Sequence, residues 1–194
     1  MGLYSNVSRA TSDLGASAPS WMPAALPDFD STAFRSALGR FATGVTVVTA
    51  MGTDGRPIGL TVSSFNSVSL APPLVLWSLS LTSGSLPILD AASHYAVNVL
   101  AADQLEVAKR FATRGNATDR FAQFPWRPGG NGAPLLEGCT AWFECYNRSR
   151  YREGDHCIFV GEVERCGHTD AMPLVFHAGG FDLTPQRSRK TPAS

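Results

Sequence analysis

The residues best suited to chemistry in this chain are a histidine and the aspartate before it. His156 follows Gly154 and Asp155 in a tight turn, and it begins the apolar run of residues 157–163. A turn that meets a buried strand holds its side chains rigidly. His156 is therefore the best-placed ionisable ring in the chain, with the acidic side chain of Asp155 beside it. The alternative is a structural turn in which Asp155 only caps the backbone.

The other three histidines are interpreted as structural or surface residues: His94, His168 and His177.

Small hydroxyl side chains are concentrated along the tight strands upstream of this turn. Hydroxyls and exposed backbone N–H groups can bind a phosphate, or the polar edge of a planar ring, without net positive charge. Serine and threonine also fill turns and strands, so a structural role is the alternative for each one. The set is Thr43, Thr46, Thr61, Ser63, Ser64, Ser67, Ser69, Ser78, Ser80, Thr82, Ser83 and Ser85.

Several classes of site are disfavoured by the motifs and charge of the sequence. It contains no G-x-S-x-G elbow, no Walker lysine loop, no G-x-G-x-x-G and no H-E-x-x-H. The 16 basic residues balance the 16 acidic ones, so no global field attracts nucleic acid or an anionic membrane. Apolar runs are too short to cross a bilayer. We predict no metal site, no nucleic-acid partner and no membrane partner.

The four cysteines predict a cytoplasmic protein with free thiols. They form no C-x-x-C pair, and none precedes a histidine at zinc-finger spacing. Three of them lie in apolar strand patterns, where free cysteine behaves as a small hydrophobe. A metal site or a disulfide is the alternative.

The length of 194 residues predicts one domain with a substantial core. Residues 1–28 lack sustained periodicity and the pattern of a secretory signal, so we predict a flexible arm there and a flexible tail at residues 185–194. The domain is predicted at residues 29–184. Charged residues are only 16% of the chain, which suggests that a second subunit covers part of the surface.

Three helices are predicted from apolar spacing and capping residues. The first spans residues 30–41, with its cap at one of the first two positions, and the second spans residues 85–92. The third spans residues 103–112, where Asp103 and Glu106 form an acidic version of the capping box.

Short β-branched and apolar runs predict many strands. The Asp54-Gly55 pair predicts a hairpin between the first two strands. Residues 114–132 read as a polar loop. Many short strands without regular βαβ alternation favour an antiparallel barrel, so the fold class is mainly β with a few helices. The predicted strands are residues 45–49, 57–62, 67–70, 74–79, 95–100, 140–148, 156–165, 174–177 and 181–183.

The order of these motifs resembles the flavin reductase-like family, the small reductase component of two-component flavin-dependent monooxygenases. The likeness covers roughly residues 30–184 and keeps the family's order. It is carried by residues 34–49 (FRSALGRFATGVTVVT), 59–75 (GLTVSSFNSVSLAPPLV), 95–100 (YAVNVL), 110–112 (RFA), 154–156 (GDH), 161–163 (GEV) and 173–176 (PLVF).

The resemblance implies a split β-barrel homodimer that binds FMN, or sometimes FAD, near the subunit interface. It implies that two segments of this chain lie along the flavin ring and the ribityl chain, and that a third group of residues lies near the flavin phosphate. Many relatives carry a basic residue where Gly84 stands, so here the phosphate would rely on hydroxyls, backbone and Arg110 or Arg114. Weak, exchangeable flavin binding is therefore expected. The implied ring-binding residues are Thr43, Gly44, Val45, Thr61, Val62, Ser63 and Ser64, with Ser67 also in the cofactor site, and the phosphate group is approached by Ser78, Ser83 and Ser85.

The resemblance also implies an activity: an NAD(P)H:flavin oxidoreductase whose reduced flavin diffuses to a partner monooxygenase. His156 is then expected near the nicotinamide and the flavin ring, with Asp155 beside it. Two alternatives stay open, a flavoprotein of the same fold that reduces a cobalamin or metal substrate, and a non-catalytic flavin- or haem-binding protein. The choices between NADH and NADPH and between FMN and FAD also stay open.

Overall fold

The computed structural model describes residues 26–113 and 120–182, which form an antiparallel, mainly β structure with three helices. This confirms the predicted fold class. Predictions for residues 1–25, 114–119 and 183–194, including most of the predicted arm and the whole tail, lie outside the described residues. The helices are α1 (Ser31–Leu38), α2 (Leu86–Ala91) and α3 (Leu105–Ala112). The strands are β1 (Thr43–Gly44), β2 (Thr46–Met51), β3 (Pro57–Val62), β4 (Asn66–Leu70), β5 (Pro73–Ser80), β6 (His94–Val99), β7 (Trp126–Pro128), β8 (Pro134–Leu136), β9 (Ala141–Glu153), β10 (His156–His168), β11 (Val175–His177) and β12 (Gly180–Asp182).

Seven strands form one sheet in the order β3-β2-β6-β9-β10-β5-β4. The β2–β3 hairpin turns at the predicted Asp54-Gly55 pair, where Gly55 has a φ of 75°. The long β9–β10 hairpin turns at Gly154, whose φ of 56° suits glycine, and this turn carries Asp155 and His156. A smaller sheet has the order β1-β11-β12, and β7 pairs with β8.

Facing side chains of β5 and β10 fix the register that matters for the site. Trp77 and Phe159 are fully buried partners in this pairing, and their rings stack with centroids 4.4 Å apart. Tyr95 of β6 meets Trp77 edge-on, with centroids 5.6 Å apart. Burial of each such side chain contributes about 1.5–3 kcal/mol, so a slipped register would be costly. The same register places His156 opposite Ser80, at the end of β5.

Helix α3 packs on β3 through a second apolar cluster. Phe111 is buried and meets Phe121 edge-on, with centroids 5.0 Å apart. A Cβ atom added to Gly59 of β3 would lie 2.7 Å from Phe111 Cε1, so glycine permits this close approach. Thr61 Oγ1 donates a hydrogen bond to the Ala108 carbonyl at 2.7 Å. These contacts hold the C-terminal end of α3 over β3.

Helix α1 ends three residues earlier than predicted. Gly39 caps it by donating its N–H to the Arg35 carbonyl at 2.9 Å, and the chain then turns into β1. The helix has no buried residue. Phe29 stacks on Phe34 with ring centroids 5.4 Å apart, but Phe34, Leu38 and Phe41 stay exposed. This part of the chain therefore presents an apolar face that the described residues cover only in part.

The helix caps confirm one prediction and contradict another. Asp30 caps α1 by accepting the Ala33 N–H at 2.7 Å, as predicted. Ser85 stands at the N-cap of α2 but makes no capping hydrogen bond with its side chain. The capping box at Asp103 is wrong. Gln104 takes the N-cap position of α3, and its side-chain oxygen accepts a backbone N–H of the preceding turn instead.

Strand content is also higher than the sequence predicted. Strand β7 lies inside the predicted loop of residues 114–132 and pairs with β8. Pro128 and Pro134 face each other at the end of this pairing, and prolines weaken a strand signal because they cannot donate to the ladder. Strands β9 and β10 have 13 residues each and extend beyond their predicted ends.

Three of the four cysteines are buried, as predicted, and all four are free thiols. Cys166 is the exposed one. Among residues 26–113 and 120–182, no helix combines the length and apolarity that crossing a bilayer would need.

Candidate active site

A cleft of about 730 Å³ opens between β3, the end of β5, the start of α2 and the end of α3. We call it the hydroxyl-lined cleft. Its volume lies in the range of small-molecule and cofactor sites. Three residues predicted to bind the cofactor are brought together here: Thr61, Ser83 and Ser85. The full lining is Leu60, Thr61, Leu79, Ser80, Thr82, Ser83, Gly84, Ser85, Ile88, Phe111, Ala112, Thr113 and Arg120.

The segment from Ser80 to Ser85 forms one wall through hydrogen bonds of its own hydroxyls. Ser80 Oγ lies 2.9 Å from Thr82 Oγ1, and the Ser85 N–H donates to Ser83 Oγ at 3.3 Å. Gly84 is exposed, and a Cβ atom added there would have no other atom within 4 Å. The wall is therefore polar and uncharged, with open space at the Cβ position of Gly84.

Arg120 supplies a positive charge that the sequence did not lead us to assign to the site. It is only 8% exposed, and its guanidinium donates to the Gly59 carbonyl at 2.7 Å and to the Thr113 carbonyl at 2.5 Å. Burial, and then the charge of Arg110, lower the pKa of Arg120, but a guanidinium stays protonated at neutral pH. Because Arg120 follows a polar stretch without periodicity, its spacing gave no signal; the aromatic Phe121 directly after it was the only hint of burial.

The candidate catalytic pair, Asp155 and His156, lies at the start of β10, which pairs with a strand that contributes to one wall of this cleft. His156 Nδ1 lies 2.7 Å from Asp155 Oδ1, and the His156 side chain is 47% exposed. In the β5–β10 register His156 faces Ser80, which lines the cleft. The Leu81 N–H donates to the Asp155 carbonyl at 2.9 Å, so the turn is attached to the same wall.

The electrostatics of the pair favour the ionised form of Asp155. The hydrogen bond from His156 lowers the pKa of Asp155, and the positive charges of His156 and Arg35 lower it further. An ionised Asp155 accepts the Nδ1–H, which leaves Nε2 as the nitrogen that can face a ligand.

The remaining predicted cofactor residues do not line the hydroxyl-lined cleft. Thr43 and Gly44 form β1 and pair with Phe176 and Val175 of β11. Val45 is buried in the cluster that contains Phe111, one layer behind the cleft. Thr43 Oγ1 is buried and has no hydrogen-bond partner among the described residues.

Five others lie in β3, β4 and β5 or in the turn between β3 and β4. Val62 is buried at the end of β3, and Ser63 and Ser67 are exposed. Ser64 Oγ accepts the Ser78 N–H at 3.0 Å and donates to its carbonyl at 3.1 Å, so both residues serve this link between strands.

The two arginines proposed for the phosphate are not in the hydroxyl-lined cleft either. Arg110 lines a separate cleft of about 240 Å³ with Glu106 and Lys109. Arg114 lies outside the described residues.

Comparison with known proteins identifies the family. The sequence model described as "Flavin reductase like domain" matches residues 38–184. The chain belongs to the flavin reductase-like family. This confirms the resemblance seen in the sequence and the class of enzyme, an oxidoreductase of the flavin reductase type.

Named relatives span most of this flavin reductase-like chain. The FMN reductase (NADH) SmoA of Agrobacterium fabrum is 48% identical over 152 residues, which cover 78% of this chain and 85% of the relative. HsaB of Mycobacterium tuberculosis, a reductase subunit of a flavin-dependent monooxygenase, is 38% identical over 168 residues. The match covers 84% of this chain and 87% of HsaB.

A solved structure confirms the fold. The NADH:FAD oxidoreductase SgcE6 of Streptomyces globisporus, in complex with NAD and FAD fragments, superposes with a TM-score of 0.77 at 37% identity. The match covers 82% of this chain and 95% of SgcE6. The split-barrel architecture implied by the resemblance is therefore confirmed for this family member.

Proposed function

We propose that this flavin reductase-like protein reduces FMN with NADH and releases the reduced flavin to a partner monooxygenase. One observation carries the proposal: a polar cleft of cofactor size is lined by hydroxyls and a buried arginine, and an oriented histidine lies opposite one of its lining residues, Ser80, in the sheet. FAD as acceptor and NADPH as donor are the corresponding alternatives, and assays with all four compounds decide between them.

The residues of the hydroxyl-lined cleft fit a flavin. Ser83, Ser85 and Thr82 offer hydroxyls to a phosphate, and Arg120 offers a positive charge that Gly84 does not. Phe111 and Leu60 give an apolar surface for a planar ring. The buried, unpartnered Thr43 Oγ1 lies in the segment that the family uses along the flavin ring, and a ligand atom would satisfy it.

His156 and Asp155 would act on the ring end of the reactants. When bound, the flavin supplies the hydride-accepting N5 atom and the dihydronicotinamide supplies the hydride from C4. Asp155 fixes the His156 ring, so Nε2 is held at one position at the edge of the cleft. From there it can donate a hydrogen bond to a nicotinamide carboxamide, or to negative charge that develops on the acceptor. His156 therefore positions the donor and stabilises charge without forming a covalent bond.

We also propose that the protein works as a cytoplasmic homodimer. The exposed apolar face of Phe34, Leu38 and Phe41 supports a second subunit, because a surface of this kind gains stability when a partner covers it. The free thiols support a reducing compartment. The functional domain is proposed at residues 29–184.

Steady-state assay of the purified protein tests the function. NADH oxidation should depend on added FMN and should be slow without it, and the reduced flavin should be released and reoxidised by oxygen. Absence of flavin-dependent NADH oxidation would reject the proposal. A yellow colour that persists through gel filtration would instead support a permanently bound cofactor.

A further inference from the structure

A second cleft, of about 340 Å³, lies between α1 and the turn that joins β11 to β12. We call it the arginine cleft. Arg35 and Arg40 line it together with the hydroxyls of Thr32 and Ser36, and none of the described residues in its lining is acidic. The hydrogen bond from the Ala178 N–H to the Gly39 carbonyl, at 2.7 Å, ties the helix to the turn.

The helix separates its polar and apolar side chains. Thr32, Arg35 and Ser36 are spaced so that they share one side of a helix, and Gly39 continues that row into the cleft. Phe34 and Leu38 fall on another side, which is the exposed apolar face. The polar row of α1 therefore lines the arginine cleft, and the apolar side chains lie on a different side of the helix.

The charge of the arginine cleft suits a phosphate. Within residues 26–113 and 120–182, neither Arg35 nor Arg40 forms an ion pair with a carboxylate. Two guanidinium groups with hydroxyls beside them form the donor set that binds phosphate oxygens in bidentate fashion. The part of the lining that the structure describes has no sulfhydryl, carboxylate or side-chain amide group, which would favour a cation.

The arginine cleft is also electrostatically linked to the catalytic turn. The charge of Arg35 acts on Asp155, although less strongly than the hydrogen bond and charge of His156. Such an effect requires that Arg35 lies near the turn, because charges at the surface are screened over about 8–10 Å. The hydroxyl-lined cleft borders the same turn through Ser80. The turn thus has a polar cleft for each of two phosphate-bearing molecules.

We propose that the arginine cleft binds a phosphate group of the reduced nicotinamide dinucleotide while the nicotinamide ring lies at His156. The inference rests on the proposed function, and it adds a site for the hydride donor that is separate from the flavin site. Flavin phosphates share the same chemistry, so the experiment must distinguish the two sources.

The variants Arg35→Gln, Arg40→Gln and the double variant test this site. Loss of a charge-assisted contact at each position should raise the KM for NADH by about tenfold in the single variants and further in the double variant. The KM for FMN and kcat should stay within about twofold of the wild type, because His156 and the hydroxyl-lined cleft are unchanged. Arg148→Gln removes an exposed arginine that pairs with Glu162 and lines none of these clefts, so it controls for net charge.

Two phosphate-free substrates identify which molecule uses the site. 1-Benzyl-1,4-dihydronicotinamide donates a hydride without any phosphate, and the double variant should use it as well as the wild type does. Riboflavin lacks the flavin phosphate, and the variants should show the same increase in NADH KM with riboflavin as with FMN. A larger effect with NADPH than with NADH would assign the site to the 2′-phosphate, and equal effects would assign it to the pyrophosphate; either result supports the inference.

Three results would overturn it. The first is an unchanged KM for NADH in the double variant. The second is an equal loss with the phosphate-free donor, which would indicate a structural role. The third is a raised KM for FMN that disappears with riboflavin, which would assign the cleft to the flavin.

Calorimetric titration measures NAD⁺ binding without turnover, so it tests this inference independently of the proposed function. If the wild type shows no turnover, the proposed function fails, and NAD⁺ binding then decides the inference alone. Binding by the wild type that weakens about tenfold or more in the double variant supports the site. Equal binding, or none by either protein, rejects it.

Discussion

The imidazole of His156 owes its orientation to one short hydrogen bond with an almost fully exposed carboxylate. Asp155 is 93% exposed, so solvent screens the pair and its contribution to folding is small. We propose that its contribution to catalysis is geometric, because an ionised Asp155 holds the Nδ1–H and leaves Nε2 free for a ligand. We therefore expect that function at this position can be removed without loss of the fold.

Replacement of His156 tests whether activity can be lost while the fold is kept. In His156→Ala we expect kcat with NADH and FMN to fall by about ten- to a hundredfold, equivalent to about 1.4–2.7 kcal/mol of transition-state stabilisation. The FMN dissociation constant and the melting temperature should change little. His168→Ala, at an exposed histidine away from the cleft, is the matched control. Unchanged turnover in folded His156→Ala would return the turn to a structural role.

The pH dependence of the Asp155–His156 pair follows from the lowered pKa of Asp155. A lowered carboxyl pKa means that the hydrogen bond is present at neutral pH and is lost only when the pH falls below the ordinary range of aspartate. In the wild type, Asp155 should therefore stay ionised through the mildly acidic range, and Asp155→Asn should alter the acidic limb of the kcat/KM profile. A profile identical to that of the wild type would show that the carboxylate does not control the histidine.

Gly84 offers the opposite kind of test, a gain of binding. The space around its Cβ position is open and its backbone is not left-handed, so Gly84→Arg should fold normally. If the flavin phosphate lies at the segment from Ser80 to Ser85, the new charge should tighten FMN binding by about tenfold and slow flavin release. Quenching of flavin fluorescence measures this directly. Gly84→Ala should match the wild type, and riboflavin affinity should be the same in all three proteins.

At the scale of elements, the close approach of β3 to α3 is the most constrained contact near the site. In Gly59→Ala the new methyl group would lie 2.7 Å from the buried ring of Phe111, which cannot move away from Phe121 without further changes. We expect a loss of about 1–3 kcal/mol in the free energy of unfolding, measured with urea. The carbonyl of Gly59 also holds Arg120, so weaker FMN binding should accompany the loss. Gly55→Ala would be strained for another reason, a positive φ, and should leave FMN binding unchanged.

An element can be predicted when its sequence pattern lies within a few neighbouring residues. Strand β5 alternates buried and part-buried side chains, and the Asp54-Gly55 turn is specified by two adjacent residues, so both could be predicted. Strand β7 has three residues and ends at a proline, which gives no periodicity to detect. Among the predicted site residues, Thr61, Ser83 and Ser85 line one cleft, and their role there stays a prediction. Arg120 could not be found, because only the packing of α3 on β3 brings it to the cleft.

At the scale of the whole molecule, the feature that bears on assembly is the exposed apolar face of α1 and of the residues just after it. Leu38 is 57% exposed and Phe41 is 74% exposed. A charge at Leu38 should therefore disfavour association: in Leu38→Glu we expect the dimer dissociation constant to rise by at least about a hundredfold, because the contact occurs twice in a symmetric dimer. Sedimentation velocity measures this. Thr53→Glu adds the same charge at the tip of the β2–β3 turn and should remain dimeric, and an unaffected Leu38→Glu dimer would place the interface elsewhere.

The burial of three cysteines affects how well such an enzyme resists oxidation during its own turnover. Reduced flavin that escapes into aerated solution reacts with oxygen and yields hydrogen peroxide, which attacks thiolates. Burial raises the pKa of Cys139 and of Cys145 to about 12 and also raises that of Cys157, so these thiols stay protonated and unreactive at neutral pH. Of the four cysteines, only Cys166 is exposed to the hydrogen peroxide that would form when reduced flavin reacts with oxygen. The core would then withstand aerobic operation, and oxidative damage to thiols would be confined to one site on the surface.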